Sequence, residues 1–270
     1  MNLQPQQPRI EYVPCGIMKE RVRQSLHRNP IERENNLLDR VSNVNRFSYY
    51  YKTFLATETA LVKDSVLKLV PRGKVLNVGC GRNGTERSLF SADAYELYGV
   101  DISEESLRIL YEQKLYSGVL RGSITSLPLA SDSFDVVYLR LILHHLIYPK
   151  YLLEDGLCEC FRVLKSGGVL ALVEPNSWHP IGALMNLAHA LRLDMYIHGT
   201  DDDVALSPRT LRKLLWNSAA DVSTHVVSYS WRRLPIPIQD VCNRVQGALG
   251  RFNRKVPHFG HTLMMTAVKR

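Results

Sequence analysis

The stretch "KVLNVGCGRNGTE", from Lys74 to Glu86, decides the fold of this 270-residue chain. It begins with a run of aliphatic residues and continues into a turn that carries Gly79, Gly81 and Gly84. Glycine lets the backbone of such a turn approach a bound ligand closely. The stretch therefore predicts a strand that leads into a cofactor-binding turn at the start of a helix.

The residues around this stretch alternate short apolar runs with helical stretches, which is typical of parallel βαβ units. Five strands are predicted, at residues 74–79, 96–102, 118–123, 134–140 and 169–175. Helices are predicted at 104–114 and 151–164, the second ended by a left-handed glycine in "KSGG". The pattern predicts an α/β protein with a doubly wound, Rossmann-like sheet. Two further strands are predicted at 224–231 and 261–269.

The segments that flank the five strands are mainly helical. Residues 1–40 are polar and interrupted by prolines, which predicts an arm, and residues 45–70 predict one or two helices. Ser207 followed by Pro208 marks the start of a further helix. The stretch from Ile238 to Lys255 carries an apolar stripe that is expected to pack on the sheet. Its basic residues also suit peripheral contact with an anionic membrane surface.

The charge of the chain is concentrated near its C-terminus. The formal net charge is +8, and residues 204–270 contain eleven Lys or Arg against two Asp, a local balance of +9. This quarter is either a solvated face or a surface for an anionic partner, such as a phosphorylated substrate, nucleic acid or an acidic membrane. No apolar run reaches the roughly 18 to 20 residues that span a bilayer, so a cytoplasmic protein is expected. Five scattered cysteines predict reduced thiols and no metal site.

The spacing of the glycines does not by itself identify the cofactor. They form the pattern G-x-G-x-x-G, and Asp101 follows at the end of the second predicted strand. This arrangement satisfies the dinucleotide fingerprint, in which the acid binds ribose hydroxyls. S-adenosylmethionine carries a ribose that an acid can hold in the same way. Both cofactors therefore remain open on this pattern alone.

Four segments in a fixed order separate the two cofactors. They are "VLNVGCGRNG", "GVDISEESL", "GSITSLPLASDSFDVVYLRLILHHL" and "CECFRVLKSGGVLALVEPN". Together they resemble the class I S-adenosylmethionine-dependent methyltransferases, in particular the group with ubiquinone and menaquinone C-methyltransferases and many small-molecule and sugar O-methyltransferases. The resemblance extends from about Lys63 to Asn176. A dinucleotide oxidoreductase would not need the later segments.

The resemblance implies a seven-stranded sheet with a C-terminal antiparallel hairpin. It implies an arm with lid helices over 1–62 and a methyltransferase domain over 63–270, with 176–217 as a substrate-specific helical insertion. The implied cofactor is S-adenosylmethionine, with Asp101 on its ribose and Ile102 on its adenine. The full implied set of cofactor-binding residues is Asn77, Gly79, Cys80, Gly81, Asn83, Asp101, Ile102, Ser123, Ile124, Leu139 and Arg140.

Three of these residues depart from the family pattern. The family usually has an acid at Asn77, a glycine at Asn83 and an aspartate at Ser123. Asparagine tolerates a positive φ, so the turn is still expected to form at Asn83. These departures keep a non-catalytic scaffold with the same fold open as an alternative.

Methyl transfer to a hydroxyl or an acidic carbon needs a base, and two residues at the ends of strands qualify. His144 follows the fourth predicted strand in "LILHHL", and Glu174 lies at the end of the fifth in "VEPN". Each also has a structural interpretation, His144 in packing near the cofactor and Glu174 in binding backbone groups. The run "HGTDDD" at 198–203 is interpreted as a solvated loop and not as a metal site.

The sequence thus predicts a methyltransferase that acts on a small-molecule, sugar or lipid-linked acceptor, most simply on a hydroxyl. The Asp/Asn-Pro-Pro-aromatic motif that many amino-methylases use does not follow the fourth strand. RNA or another nucleic acid stays open as an acceptor because the C-terminal quarter is basic, and so does C-methylation of a quinone-like ring. The oligomeric state is not predicted.

Overall fold

Seven strands form one sheet in the order β3-β2-β1-β4-β5-β7-β6. Strands β1 to β5 run parallel, and β7 pairs antiparallel with both β5 and β6. This confirms the doubly wound sheet and its C-terminal hairpin. The computed structural model describes residues 45–146, 151–193, 204–249 and 259–270. The strands are β1 (Gly73–Val78), β2 (Tyr95–Asp101), β3 (Gly118–Arg121), β4 (Phe134–Arg140), β5 (Leu164–Pro175), β6 (Ala219–Ser228) and β7 (Thr262–Lys269).

Six α-helices flank the sheet within the described residues. Two of them begin at serine caps that accept a backbone N–H bond, Ser103 from Ser106 and Ser207 from Thr210, the second as the sequence predicts. A π-turn follows the first helix, and short 3₁₀ turns follow the glycine turn and β4. The helices are α1 (Asn45–Val62), α2 (Glu104–Gln113), α3 (Tyr151–Val163), α4 (Pro180–Ala190), α5 (Pro208–Trp216) and α6 (Ile236–Leu249).

Alternating residues of each central strand feed two separate hydrophobic cores, one on each face of the sheet. In β4, Val137 and Leu139 enter the core that α3 and α5 cover. Val136 and Tyr138 enter the other core, which α1 closes with residues that include Phe54. Strands buried on both faces explain why the sequence shows continuous apolar runs instead of alternation.

Three local predictions are wrong. The strand predicted at 224–231 corresponds to β6, but β6 begins earlier and spans Ala219–Ser228. It begins earlier because this edge strand pairs with β7 along its whole length, including its polar residues. The "KSGG" stretch does not end a helix: α3 ends at Val163 and the stretch lies inside β5, where Gly167 has φ 75°. The glycine turn leads into the 3₁₀ turn Thr85–Ser88 and not into an α-helix.

The apolar stripe of α6 is also placed differently from the prediction. Ile238, Val241 and Val245 are 48%, 59% and 43% exposed. The helix instead turns two glutamines inward, since Gln239 donates to the Leu234 carbonyl and Gln246 to the Val227 carbonyl. Within the described ranges, no helix combines the length and the apolar character that crossing a bilayer requires.

The predicted boundary at residue 62 stays a prediction, and the predicted arm over 1–40 lies outside the described residues. So does the run at 198–203, within the predicted insertion at 176–217. Tyr50 and Phe54 of α1 are buried against residues of the sheet, so this helix belongs to the core.

Candidate cofactor and active site

The carboxyl ends of β1 and β4 lie side by side, where the chain order of the sheet reverses. From β1 the sheet grows through β2 to β3 in one direction, and from β4 to β5 in the other. Open α/β sheets bind ligands in the crevice outside such a switch point. The glycine turn after β1, Asp101 of β2, Arg140 of β4 and Glu174 of β5 all lie at this edge.

The glycine turn is held against β2 by backbone hydrogen bonds. The N–H groups of Gly79 and Cys80 donate to the Val100 carbonyl at 2.7 and 3.2 Å. Gly79 has φ 70°, and a side chain there would come within 2.3 Å of Ile142, which follows β4. Gly81 has φ 55° and open space where a side chain would project. The turn is therefore packed against Ile142 at Gly79, whereas the space above Gly81, on the side where a side chain would project, is open.

Asp101 ties this turn to the end of β2. Its two carboxylate oxygens accept the N–H groups of Gly81 and Ser103, both at 2.8 Å. Burial raises the pKa of Asp101, and the N–H bonds act against that rise. A carboxylate oxygen accepts more than one hydrogen bond, so Asp101 retains capacity for ribose hydroxyls. The neighbouring Ile102 is 50% exposed at the rim of the edge.

The third residue of the turn with a positive φ is Gly84 and not Asn83. Gly84 has φ 60°, whereas Asn83 does not occur among the residues with positive φ. The turn thus has a glycine where left-handed backbone is needed, and Asn83 is spared that conformation. Asn77 is buried in β1, and its amide donates to the Tyr116 hydroxyl at 2.8 Å.

The remaining predicted cofactor residues are placed at different depths. Ser123 is partly exposed and its hydroxyl is 2.9 Å from that of Thr125. Ile124 is buried and packs in the core on the α3 side of the sheet. Leu139 is fully buried in the same core, so of the pair at the end of β4 only Arg140 reaches the edge.

Arg140 is the centre of a buried charged network that the sequence did not predict. Its guanidinium bonds the Glu58 carboxylate at 2.9 Å and also the carboxylate of Glu86 and the hydroxyl of Thr85. Burial disfavours the charged guanidinium, yet the carboxylates of Glu86 and Glu58 raise the pKa of Arg140 above its ordinary value. Tyr138 donates to Glu58. The network couples helix α1 to the glycine turn.

This network also reaches Asn77. The Tyr116 hydroxyl, which accepts from Asn77, lies 3.1 Å from a carboxylate oxygen of Glu86. An acidic side chain is therefore near β1, contributed by the 3₁₀ turn and not by position 77 itself. Glu58 and Glu86 are separated from Arg140 by 82 and 54 residues, so no local sequence pattern connects them.

His144 and Glu174 form a buried pair across the ends of β4 and β5. His144 Nδ1 is 2.8 Å from Glu174 Oε2, and the two side chains are 8% and 1% exposed. The other oxygen of Glu174 accepts the N–H groups of Ile142 and Leu143 at 2.9 and 2.7 Å. Glu174 thus orients His144 and holds the segment that packs on Gly79.

The backbone between the end of β4 and His144 has an unusual conformation. Leu141 has φ 59°, and its N–H donates to the Val173 carbonyl at 2.8 Å. A left-handed conformation costs a branched residue about 1 kcal/mol or more and persists where the surroundings impose it. Here it turns the backbone so that Ile142 covers Gly79 while His144 meets Glu174.

These residues fit S-adenosylmethionine. The space above Gly81, where a side chain would project, admits a ligand against the backbone, and Asp101 beside it suits ribose hydroxyls. The buried network holds two carboxylates against one guanidinium, which suits a cationic ligand group. No group of three or more His, Cys, Asp or Glu suited to a metal ion occurs in the described part of the chain.

Comparison with known proteins agrees with this geometry. Residues 76–172 match the family model of the methyltransferase domain. They form a class I methyltransferase domain. The methyltransferase domain family binds S-adenosylmethionine.

The matches to curated relatives cover only part of each chain. Squalene methyltransferase 1 of Botryococcus braunii is 34% identical over 116 residues, which cover 41% of this chain and 30% of the relative. Malonyl-[acyl-carrier protein] O-methyltransferase of Enterobacter lignolyticus is 32% identical over 111 residues, 40% and 42% of the two chains. Demethylmenaquinone methyltransferase of Renibacterium salmoninarum is 32% identical over 114 residues, 42% and 46%. The chain spans less than half the length of each relative.

The same fold occurs in solved structures. A methyltransferase of Thermotoga maritima, described as a possible histamine N-methyltransferase, superimposes with a TM-score of 0.54 at 17% identity. The superposition covers 85% of this chain and 98% of the other. At this identity the likeness shows the methyltransferase fold alone.

The first two glycines of the turn should respond differently to the same substitution. Gly79→Ala places a methyl group against Ile142, so we expect both a lower melting temperature and loss of S-adenosylhomocysteine binding. Gly81→Ala has the same unfavourable φ but no clash, so we expect a smaller loss of stability with an equally large loss of binding. Differential scanning fluorimetry and isothermal titration calorimetry on both variants measure these effects. Unchanged binding by Gly81→Ala would remove the space above Gly81 from the cofactor site.

Proposed function

We propose that the protein transfers the methyl group of S-adenosylmethionine to a hydroxyl of a small-molecule, sugar or lipid-linked acceptor. The observation that carries the proposal is the His144–Glu174 pair, which is linked to the glycine turn through Ile142. A histidine oriented by a buried carboxylate is suited to take a proton from a hydroxyl nucleophile. An acceptor with a stronger nucleophile would not need this pair.

Each residue has a separate role in this proposal. The cofactor supplies an activated methyl group when it is bound. Asp101 holds the ribose hydroxyls of the cofactor, and the backbone at Gly81 is where the cofactor comes closest to the chain. His144 takes the acceptor proton, and Glu174 is a positioning residue because its oxygens are engaged by His144 and by backbone N–H groups.

The relatives support the reaction class more than the acceptor. One is named as an O-methyltransferase of malonyl-[acyl-carrier protein], whereas others are named for squalene and demethylmenaquinone. C-methylation of an apolar acceptor such as a quinone-like ring is therefore the second candidate, since the same base would take a proton from carbon. A nucleic-acid acceptor is a third outcome that the experiment separates from both.

Incubation with methyl-labelled S-adenosylmethionine and extracts of the native host tests the proposal. We expect label in the organic or small aqueous fraction, released as methyl iodide by hydriodic acid if it is on an ether oxygen and retained if it is on carbon. The Asp101→Ala variant is the control, because loss of the ribose acceptor should strongly reduce labelling at a low concentration of S-adenosylmethionine. Label confined to nucleic acid would overturn the proposal in favour of an RNA or DNA acceptor.

A further inference from the structure

Helix α4 presents an apolar face to solvent. Leu184 and Leu187 within the helix and Leu191 just after it are 58%, 54% and 59% exposed. A neighbouring face of the helix, with Met185 and Ala188, is buried. A helix that is apolar on both faces is normally covered on both. Contiguous exposed leucines mark an interaction surface.

Helix α5 adds a basic row beside this apolar face. Arg209, Arg212 and Lys213 are exposed and line one shallow surface cavity together with Trp216. Neither α4 nor α5 contains an Asp or Glu. The charged residues of α4 and α5 themselves are therefore all basic, and the four aspartates of the chain that links them, Asp194 and Asp201 to Asp203, lie outside the described residues.

Contacts at the start of α5 hold it against α4 and against the segment that precedes α4. The Arg209 guanidinium lies over the ring of Trp178, just before α4, at 5.4 Å. The Asn186 side chain of α4 bonds the backbone of Ala205, just before α5, at 2.8 and 3.1 Å. We call this surface the α4–α5 face, and it comprises Trp178, Leu184, Leu187, Leu191, Arg209, Arg212, Lys213 and Trp216.

We propose that the α4–α5 face docks on an anionic lipid bilayer surface. Leucines inserted at the level of the acyl chains, indoles at the interface and Arg or Lys on the phosphates form the composition of interfacial membrane-binding helices. The exposed Trp178 and Trp216 are each stacked by an arginine, which keeps the cation beside the amphipathic ring. Nucleic acid would use the cations and indoles but not three exposed leucines.

The place of this face gives the docking a consequence for the site. Glu174 is the penultimate residue of β5, and it lines one small cavity together with Pro208 and Leu211 of α5. Helix α5 therefore packs beside the His144–Glu174 pair. A bilayer on this face is positioned to present a membrane-embedded acceptor to that pair. Docking itself needs neither cofactor nor methyl transfer, so it is tested independently of the proposed function.

Vesicle co-sedimentation of the full chain tests the apolar part of the face. We expect binding to vesicles of equal parts phosphatidylcholine and phosphatidylglycerol, and little to phosphatidylcholine alone. The double variant Leu184→Gln/Leu187→Gln should weaken binding at least tenfold, since both leucines insert. Leu69→Gln is the matched control, because Leu69 is 60% exposed before β1, at the opposite edge of the sheet.

Charge substitutions test the basic part. Arg212→Gln/Lys213→Gln should weaken binding to the acidic vesicles about tenfold or more and flatten its salt dependence. Arg108→Gln, a variant of an exposed arginine on α2, should leave binding unchanged. Unaltered S-adenosylhomocysteine binding by all variants shows that the fold is retained.

Four outcomes would overturn the proposal. The first is absence of binding to acidic vesicles, and the second is an equal loss of vesicle binding in the Leu69→Gln control. The third is displacement of bound vesicles by transfer RNA while the Leu184→Gln/Leu187→Gln variant still binds transfer RNA. The fourth is sedimentation of the protein as a dimer that the same leucine variant abolishes. The last would assign the face to a second copy of the chain.

Discussion

Substitution of His144 by alanine is expected to lower the rate of methyl transfer by about 10²- to 10⁴-fold, the usual contribution of a positioned general base. The affinity for S-adenosylhomocysteine should stay within about twofold of the wild-type value, because Asp101 and the glycine turn bind the cofactor through other groups. Single-turnover kinetics with the acceptor identified by labelling, together with calorimetry, measure the two quantities. A rate within threefold of wild type would assign His144 a packing role.

Two companion variants sharpen this test. His189→Ala removes a histidine of α4 that has no part in the proposed chemistry, and it should leave the rate unchanged. Glu174→Gln keeps an oxygen for backbone N–H groups but removes the charge beside His144. It should move the acid limb of the pH–rate profile to lower pH, since the protonated imidazole loses its carboxylate partner. A purely structural role for Glu174 would leave the profile in place.

Substitution of Arg140 by methionine is expected to lower the free energy of unfolding at pH 7 by roughly 3 to 5 kcal/mol. The variant leaves the carboxylates of Glu58 and Glu86 buried without their cation. Glu58 is fully buried, and burial already raises its pKa while Arg140 acts to lower it. Urea unfolding followed by circular dichroism measures the loss.

The pH dependence of this loss has a definite sign. Burial raises the folded-state pKa of Glu58 and Arg140 acts against that rise, so without Arg140 the folded state binds more protons than the unfolded state at the same pH. The stability of the variant should therefore increase as pH falls from 8 toward 5, and its difference from wild type should shrink.

Two further variants serve as controls for this test. Arg108→Met removes an exposed cation of an ion pair and should change stability little at any pH. Glu58→Gln, which leaves Arg140 paired with Glu86, should cost less than Arg140→Met. An Arg140→Met loss that is independent of pH would contradict the buried-charge explanation.

Substitutions at Arg140 and at Asp101 should weaken cofactor binding to different extents. Arg140→Met is expected to weaken S-adenosylhomocysteine binding only moderately, because the network contacts the 3₁₀ turn after the glycines rather than Gly81 itself. Asp101→Ala should weaken it more, since Asp101 bonds Gly81 directly and supplies the ribose acceptor. Calorimetry at matched temperature ranks the two variants.

Local sequence patterns were sufficient for much of the fold and for the cofactor turn. The central parallel strands β1, β4 and β5 follow from apolar runs buried on both faces, and the turn follows from glycines that adopt positive φ at 79, 81 and 84. These properties depend on neighbours a few residues away, so they are visible in the chain itself. The boundary of β6 was not, because an edge strand is defined by its pairing with β7 and not by its own apolar content.

Interactions between distant residues were decided by the tertiary structure. Glu58 and Glu86 meet Arg140 only because α1 packs on the sheet at the edge where the glycine turn lies. His144 was visible as a residue type, but its pairing with Glu174 depends on the register of β4 and β5 and on the left-handed Leu141. The outward leucines of α4 share an apolar composition with buried helices, and only their exposure distinguishes them. Composition and spacing record what a residue can do, whereas burial and partners depend on which segments the fold brings together.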